Sequence, residues 1–453
     1  MIMRVVLIVV IGSLMQAARS FVPGGDARFD GPAVTLAVGF ILLIAFFTGR
    51  LFATFKLPRL TGYIAAGIVC GPAVLGLLTP QMVHGMRLAN GVAISLIALT
   101  AGGEMNLREI RPYLRAITSI TVIAVVGGMF ALAGAVYLLR GMLPFFDELS
   151  PAQAVAVALV LGVTLSAQSP AVVVALRNEM GAEGPVTRTV LGVVVLADLV
   201  VIVCFAVASS YAQGALGAGG DASSTAYHVA WELFGSLGLG AVVGLLLTIY
   251  LRIVKSGAAL FVLATCVVVA ELSTPLHLDT LLVALAAGIF IQNVGRAGDR
   301  LLREIESASL PVYVVFFAVA GANIHLDVIP LVAVPAIVLV LTRASAFLVG
   351  ARIATTLAGA PPEVRRWAGF GLLPQAGLAL ALALLFARTF PMFGEGASAL
   401  TLGIVALNEI VAPIFFRWAL VRSGEAGKLA SGSEPPVAAV TPPGEPSPGS
   451  VAH

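Results

Sequence analysis

Fourteen stretches of this chain are apolar for long enough to cross a lipid bilayer, and that pattern leaves few folds open. They fall at roughly 3–18, 33–52, 60–78, 88–104, 113–139, 151–176, 189–209, 227–254, 257–274, 278–294, 307–324, 328–350, 367–387 and 399–420. A soluble domain carries about 25% charged residues. Here the figure is 11%, with 59% hydrophobic residues and a mean hydropathy of +1.03 over 453 residues. The sequence therefore predicts an all-α polytopic membrane protein, and a soluble enzyme is excluded.

The basic residues fix an orientation. With the N-terminal end inside and every run crossing, 20 Lys and Arg fall in inside loops or ends and five fall outside (Arg19, Arg28, Arg87, Arg140, Arg388). Arg343 alone lies well inside a run. That asymmetry is the positive-inside pattern. The net charge of +3 thus reflects loops facing the cytoplasm and carries no signal for nucleic acid. Residues 1–20 fit either a signal peptide, with Arg4 before a short apolar stretch and small residues at Ala17 and Ala18, or an extra N-terminal helix. Residues 421–453 turn to Ser, Gly, Pro and Ala and predict a disordered cytoplasmic tail. Cys70, Cys204 and Cys266 lie far apart inside apolar runs and read as packing, and the five histidines sit at run ends or in the tail. No Walker loop, dinucleotide fingerprint, zinc motif or Ser–His–Asp order occurs, so no cofactor is expected.

Counted from residue 33, the run at 227–254 is the seventh of thirteen and links two units of six, 33–209 and 257–420. The first unit enters from outside and the second from inside, so equivalent helices run in opposite directions. The fifth run of each unit is interrupted mid-membrane: SAQSPA around Pro170 in the first, LLPQAG around Pro374 and Gln375 in the second. Broken backbone survives at that depth only where it is buried in protein or lines a watery cavity. Interruptions at matching positions of inverted halves point to a transporter binding site.

Beside the first interruption, Asp198 stands near the middle of GVVVLADLVVIV. A charged Asp at a helix centre costs ~2.5–3.5 kcal/mol even on a lenient insertion scale. A carboxylate there can hold a proton or a cation in turn, because burial favours the protonated form and a nearby cation the charged one. Two ligands competing for one group is the minimal chemistry of exchange. A structural alternative pairs Asp198 with Arg343, which could also neutralise it when no cation is bound. Glu104, at the inner end of its run, reads as a helix-end carboxylate reaching water. Glu409, beside Asn408, reads equally as a second ionisable group or a helix–helix hydrogen-bonding partner. Glu271 and His277 sit at an outer end and read as solvated.

Over roughly residues 33–420 the chain resembles the bacterial monovalent cation:proton antiporters of the second cation:proton antiporter branch. That group holds sodium/proton exchangers and Kef-type potassium efflux proteins. The resemblance rests on LPRLTGYIAAGIVCGPAVLG (57–76), AGGEMNLREIRP (101–112), SAQSPAVVVALRNEMGA (166–182), VLGVVVLADLVVIV (190–203), FFAVAGANIHLD (316–327) and GFGLLPQAGLALALA (369–383). It implies the sodium/proton antiporter fold with thirteen transmembrane helices and crossed broken helices, a homodimer in the bacterial inner membrane, and a core domain that moves like an elevator. It also implies Asp198 as the cation- and proton-binding carboxylate, with oxygens of Thr164, Ser166, Gln168 and Ser169 nearby and Arg343 on the helix where relatives carry a basic residue facing the site.

Two departures refine the expectation. Ala197 precedes Asp198 where electrogenic relatives carry a second Asp, so one proton per cation, and electroneutral Na⁺ or K⁺ exchange, is expected. Gln168 stands where relatives often have Thr. Two other readings compete: a K⁺ efflux protein gated by a separate soluble regulatory subunit, and a membrane sensor that keeps the fold without transport.

Overall fold

The computed structural model describes residues 2–19, 31–217, 222–254, 258–273, 275–295, 297–324, 329–375 and 377–428. Lys255, Arg296, His325 and the Ser/Gly/Pro-rich tail lie outside them. All regular structure among the described residues is helical. Each of the fourteen apolar runs overlaps helix, though 60–78 is helical only to Cys70, and among the described residues seven helical segments are long and apolar enough to cross a membrane.

The main helices, labelled in chain order, are α1 (Ile2–Arg19), α2 (Gly31–Thr54), α3 (Arg59–Cys70), α4 (Arg87–Glu104), α5 (Gly127–Leu138), α6 (Pro151–Ser166), α7 (Pro170–Met180) and α8 (Pro185–Ala215). They continue as α9 (Ala222–Ile253), α10 (Ala258–Ser273), α11 (Thr280–Phe290), α12 (Gly298–Ala322), α13 (Ile329–Leu357), α14 (Gly377–Thr389) and α15 (Gly394–Arg422). A seven-residue helix and a stretch of π-helix, Thr121–Val126, lead without a break into α5.

Packing sorts these helices into two groups. One, the frame, joins α1, α2, α3, α4, α9, α10, α11 and α12. The other, the core, joins α5, α6, α8, α13, α14 and α15 around the two interruptions. Helix α7 starts in the core and leans on α4 of the frame. Helices α4 and α11 meet through glycine. A Cβ on Gly102 would stand 2.2 Å from the Leu285 carbonyl oxygen, and one on Gly288 2.3 Å from that of Leu99. In lipid such close backbone approach supplies the packing that a hydrophobic driving force cannot.

Local chemistry sets the helix ends around the site. Helix α6 opens with a capping box: the Ser150 hydroxyl accepts from the Gln153 amide, and the Gln153 side chain accepts from the Ser150 amide. It stops at Ser166 because Pro170, four residues on, lacks an N–H and favours a helix start instead. Helix α7 then begins with the Ser169 hydroxyl accepting from Val172 N–H and Pro170 in its first turn, and ends on Gly181 at φ 54°. Helix α8, which carries Asp198, is held by a residue beyond the last helix. Both Glu425 oxygens accept from its first turn: Oε1 from Val186 N–H at 2.6 Å, Oε2 from Thr187 N–H at 2.8 Å and the Thr187 hydroxyl at 2.6 Å. A carboxylate there meets both orphan donors and the positive helix end.

Candidate ion-binding site

The two interruptions touch each other. Between α6 and α7 the chain is extended at Ala167–Ser169; in the second unit a short 3-10 turn, Ala368–Leu372, gives way to irregular backbone at Leu373–Gln375 before α14. Ser169 N–H donates to the Pro374 carbonyl at 3.0 Å, and the Gln375 side chain donates to the Leu165 carbonyl at 3.1 Å. Asn408 in turn donates to the Gln375 side-chain oxygen at 2.9 Å.

Each break leaves carbonyl groups without helical partners, and burying them unpaired costs ~1–3 kcal/mol apiece. Arg343 answers most of that demand. Its Nε donates to Leu165 O at 2.9 Å, Nη1 to Leu373 O at 2.6 Å, and Nη2 to Ala167 O at 2.9 Å and Leu372 O at 3.3 Å. The guanidinium also lies over the Phe347 ring, 4.6 Å from its centroid. The pairing of Asp198 with Arg343 weighed from the sequence is not what forms. The fork of the guanidinium matches four carbonyls converging from two broken helices, and Asp198 takes part in none of the four ion pairs among the described residues. Arg343 is therefore the clamp of the crossing.

With the carbonyl ends spoken for, the opposite electrostatic end of a break faces Asp198. The carboxylate is buried, and neither oxygen has a hydrogen-bond partner among the described residues. It lines a cavity of about 270 Å³ together with Gln168, Ser169, Pro170 and Ala171 from the first turn of α7, whose helix end is positive. The Gln168 amide nitrogen is committed to the Ser166 carbonyl at 2.7 Å, which leaves its Oε1 buried and unpartnered on the same cavity. Asp198 and Gln168, both lining this cavity, thus carry three buried oxygens without a hydrogen-bond partner among the described residues.

Not every expected residue converges there. Thr164 and Ser166 are buried, but their hydroxyls donate to carbonyls of their own helix, Val160 and Val163, and neither lines the cavity. Glu409 is buried beside Asn408, away from the cavity wall. Two acids that the sequence reading passed over do line it: Glu232 of α9 and Asp279, the N-cap of α11, both half-buried. No Lys, Arg or His lines the cavity among the described residues.

A second cavity, about 160 Å³, lies at the other end of α11 around Glu104, Arg177, Glu183 and Gln292. The Gly102–Gly288 crossing stands between the two. Glu104 corrects the expectation of a water-reaching carboxylate: its side chain is only 4% exposed because Arg177 pairs with it from the core. Arg177 also binds Glu183 at 2.6 Å, which binds Arg188 at 2.6 Å, which reaches Glu109 at 3.0 Å. Burial works to raise the Glu183 carboxyl, but the two guanidiniums outweigh it and hold it below the usual carboxylate range. The next two residues extend the grip. The Asn178 amide donates to the Tyr313 hydroxyl of α12 at 3.4 Å, and Glu179 accepts from Arg59 N–H at the start of α3 at 2.7 Å. Three consecutive residues at the end of α7 thus clasp three frame helices.

A frame, a core with crossed broken helices and one unpaired carboxylate define an ion-coupled membrane transporter. The fold is that of a solved sodium proton antiporter. Two structures of MjNhaP1 from Methanocaldococcus jannaschii align, one determined at pH 8, with a TM-score of 0.63 at 13% identity over 86% of this chain and 98% of that one. The other gives 0.67 at 14% over 90% and 100%. The iron transporter MagA of Paramagnetospirillum magneticum is 27% identical over 186 residues, 41% of this chain and 39% of that protein, so the match spans less than half of either. The family model for the transmembrane sodium/hydrogen exchanger matches residues 41–422, and the chain belongs to that family. That family is one of membrane transporters, not of enzymes.

Proposed function

We propose that the protein is a secondary-active, electroneutral antiporter exchanging one Na⁺ or K⁺ for one proton at Asp198, by alternating access across a bacterial cytoplasmic membrane. The observation that carries this is the Asp198 carboxylate, buried without a partner on a cavity that also holds the free Gln168 oxygen. A lone buried carboxylate is costly until it binds a proton or a cation, and it has room for one of them at a time. Arg343 is bound to carbonyls, so its charge stays fixed through the cycle and Asp198 alone changes partners. One carboxylate carrying one charge either way gives one-for-one exchange.

A monovalent ion suits this donor set. A divalent ion such as the iron in the MagA relative's name would need a second carboxylate beside Asp198, and the cavity's other acids, Glu232 and Asp279, stand on other helices. By the charge count the Asp198 cavity faces outside and the Arg177 clasp closes the inside, so this conformation is the outward-facing one. The inward-facing one requires the clasp to part as the core moves against the frame. Thirteen crossings in two inverted repeats, an elevator motion and a homodimer complete the reading, with Na⁺ or K⁺, H⁺ and lipid as the partners.

The test is a pH-dye assay in proteoliposomes given Na⁺, Li⁺, K⁺ or iron(II), with and without an imposed membrane potential. A response to a monovalent ion that ignores the potential is expected. A response driven by the potential would overturn electroneutrality and make Glu409 the next group to replace. No response to any ion would favour the sensor reading.

A further inference from the structure

The two acids that share the cavity with Asp198 belong to a different group of helices. Asp198, Gln168 and Ser169 ride on the core, whereas Glu232 and Asp279 stand on frame helices α9 and α11. Asp279 serves the frame's own structure. Its Oδ1 accepts from Leu282 N–H at 2.7 Å, capping α11, and its own N–H donates to Ser236 Oγ at 3.0 Å. Glu232 plays no comparable part among the hydrogen bonds and ion pairs of the described residues. Both are half-buried, where water still reaches, on a cavity whose deeper wall holds the unpartnered oxygens of Asp198 and Gln168. The rest of the wall is apolar apart from Ser169 and Thr280. Low-dielectric walls carrying one sign of charge concentrate the opposite ion.

We propose that Glu232 and Asp279 form a cation-recruiting antechamber, holding a hydrated monovalent cation at the frame side of the cavity before it reaches Asp198. The inference rests on the reading that this cavity is Asp198's route to solvent. It adds residues that set how readily the cation arrives, and it makes that benefit specific to the conformation in which frame and core share this cavity. An acid on the core would travel with Asp198 and serve both sides equally. Acids on the frame serve only the side to which this cavity opens, so cation affinity is higher there than on the side of the clasp.

The test compares Asp279→Asn and Glu232→Gln with the parent chain in proteoliposomes, measuring Na⁺ and K⁺ transport from the side of this cavity at low and high ionic strength. Asparagine keeps a side-chain oxygen for the α11 cap, so the substitution removes charge without the cap. Loss of one charge at this range is expected to raise KM about five-fold at low ionic strength. The two effects should roughly multiply in the double variant, shrink at high salt and leave kcat within about two-fold. KM measured from the opposite side should not move. An unchanged KM in both variants, or a loss confined to kcat, would overturn the proposal. If Asp279→Asn fails to assemble, Glu232→Gln carries the same test. Failure of the Asp198 reading shows separately, as exchange that survives Asp198→Asn.

Discussion

Replacing Asp198 by Asn is expected to abolish cation-coupled proton movement and to leave a folded protein. Asparagine fills the same volume on α8 but cannot take up a proton or supply the charge that a bound cation needs. On the deep wall of the cavity no second carboxylate stands beside it: Ala197 precedes it and Gln168 is neutral. The rate in a proteoliposome dye assay should therefore fall at least about 100-fold, the scale expected when a charge partner is lost at low dielectric. The stability effect runs the other way. Both carboxylate oxygens are buried without partners, and a buried unpaired charge is a liability to the fold. The variant's apparent melting temperature in detergent should equal or exceed the parent's. Full exchange in the variant would show that the proton and cation bind elsewhere.

Arg343 is expected to fail in the opposite sense, through the fold before the chemistry. Arg343→Met leaves the carbonyls of Leu165, Ala167, Leu372 and Leu373 without their donor. At ~1–3 kcal/mol for each unmet group, the loss rivals the ~5–15 kcal/mol that holds a typical protein together. Size-exclusion profiles of the variant should show little or no monodisperse protein. Arg343→Lys keeps the charge with fewer donors on a single nitrogen and should fold partially. The clamp and the carboxylate are also separable. If Arg343 neutralised Asp198, the Lys substitution and Asp198→Asn would be strongly coupled. Bound to carbonyls instead, the two should act additively on the free energy of unfolding, within about 0.5 kcal/mol.

The helices and the two breaks were legible because lipid enforces them: long apolar runs have one solution, and Pro170 and Pro374 cannot continue a helix. Asp198 was legible for the same reason, since a carboxylate has no bland place at mid-membrane. What the sequence could not supply was lateral partnership. Depth placed Arg343 near Asp198, and opposite charge suggested a pair, but the demand created by the breaks was for donors. Side-chain reading overlooks backbone acceptors, although two matched breaks imply several orphan carbonyls that a buried arginine can serve. Glu104 was placed at a helix end, yet an end can be covered, and Arg177 from a distant run covers it. Glu232 and Asp279 sat near run ends, where acids are ordinary. Only the packing of α9 against α8, and of α11 against α9 and α4, brings them onto Asp198's cavity. Glu425, beyond the last helix, reaches back some 240 residues to cap α8, a contact with no local signal.

The central claim is that a cation and a proton compete for one carboxylate, and initial rates of radioactive Na⁺ or K⁺ uptake across a pH series test it most directly. Competition at Asp198 predicts that on the acid side KM rises about ten-fold per pH unit while the rate at saturating cation holds steady, one proton displaced for each ion bound. A KM that ignores pH while the saturating rate titrates would place the proton on another group and contradict the account.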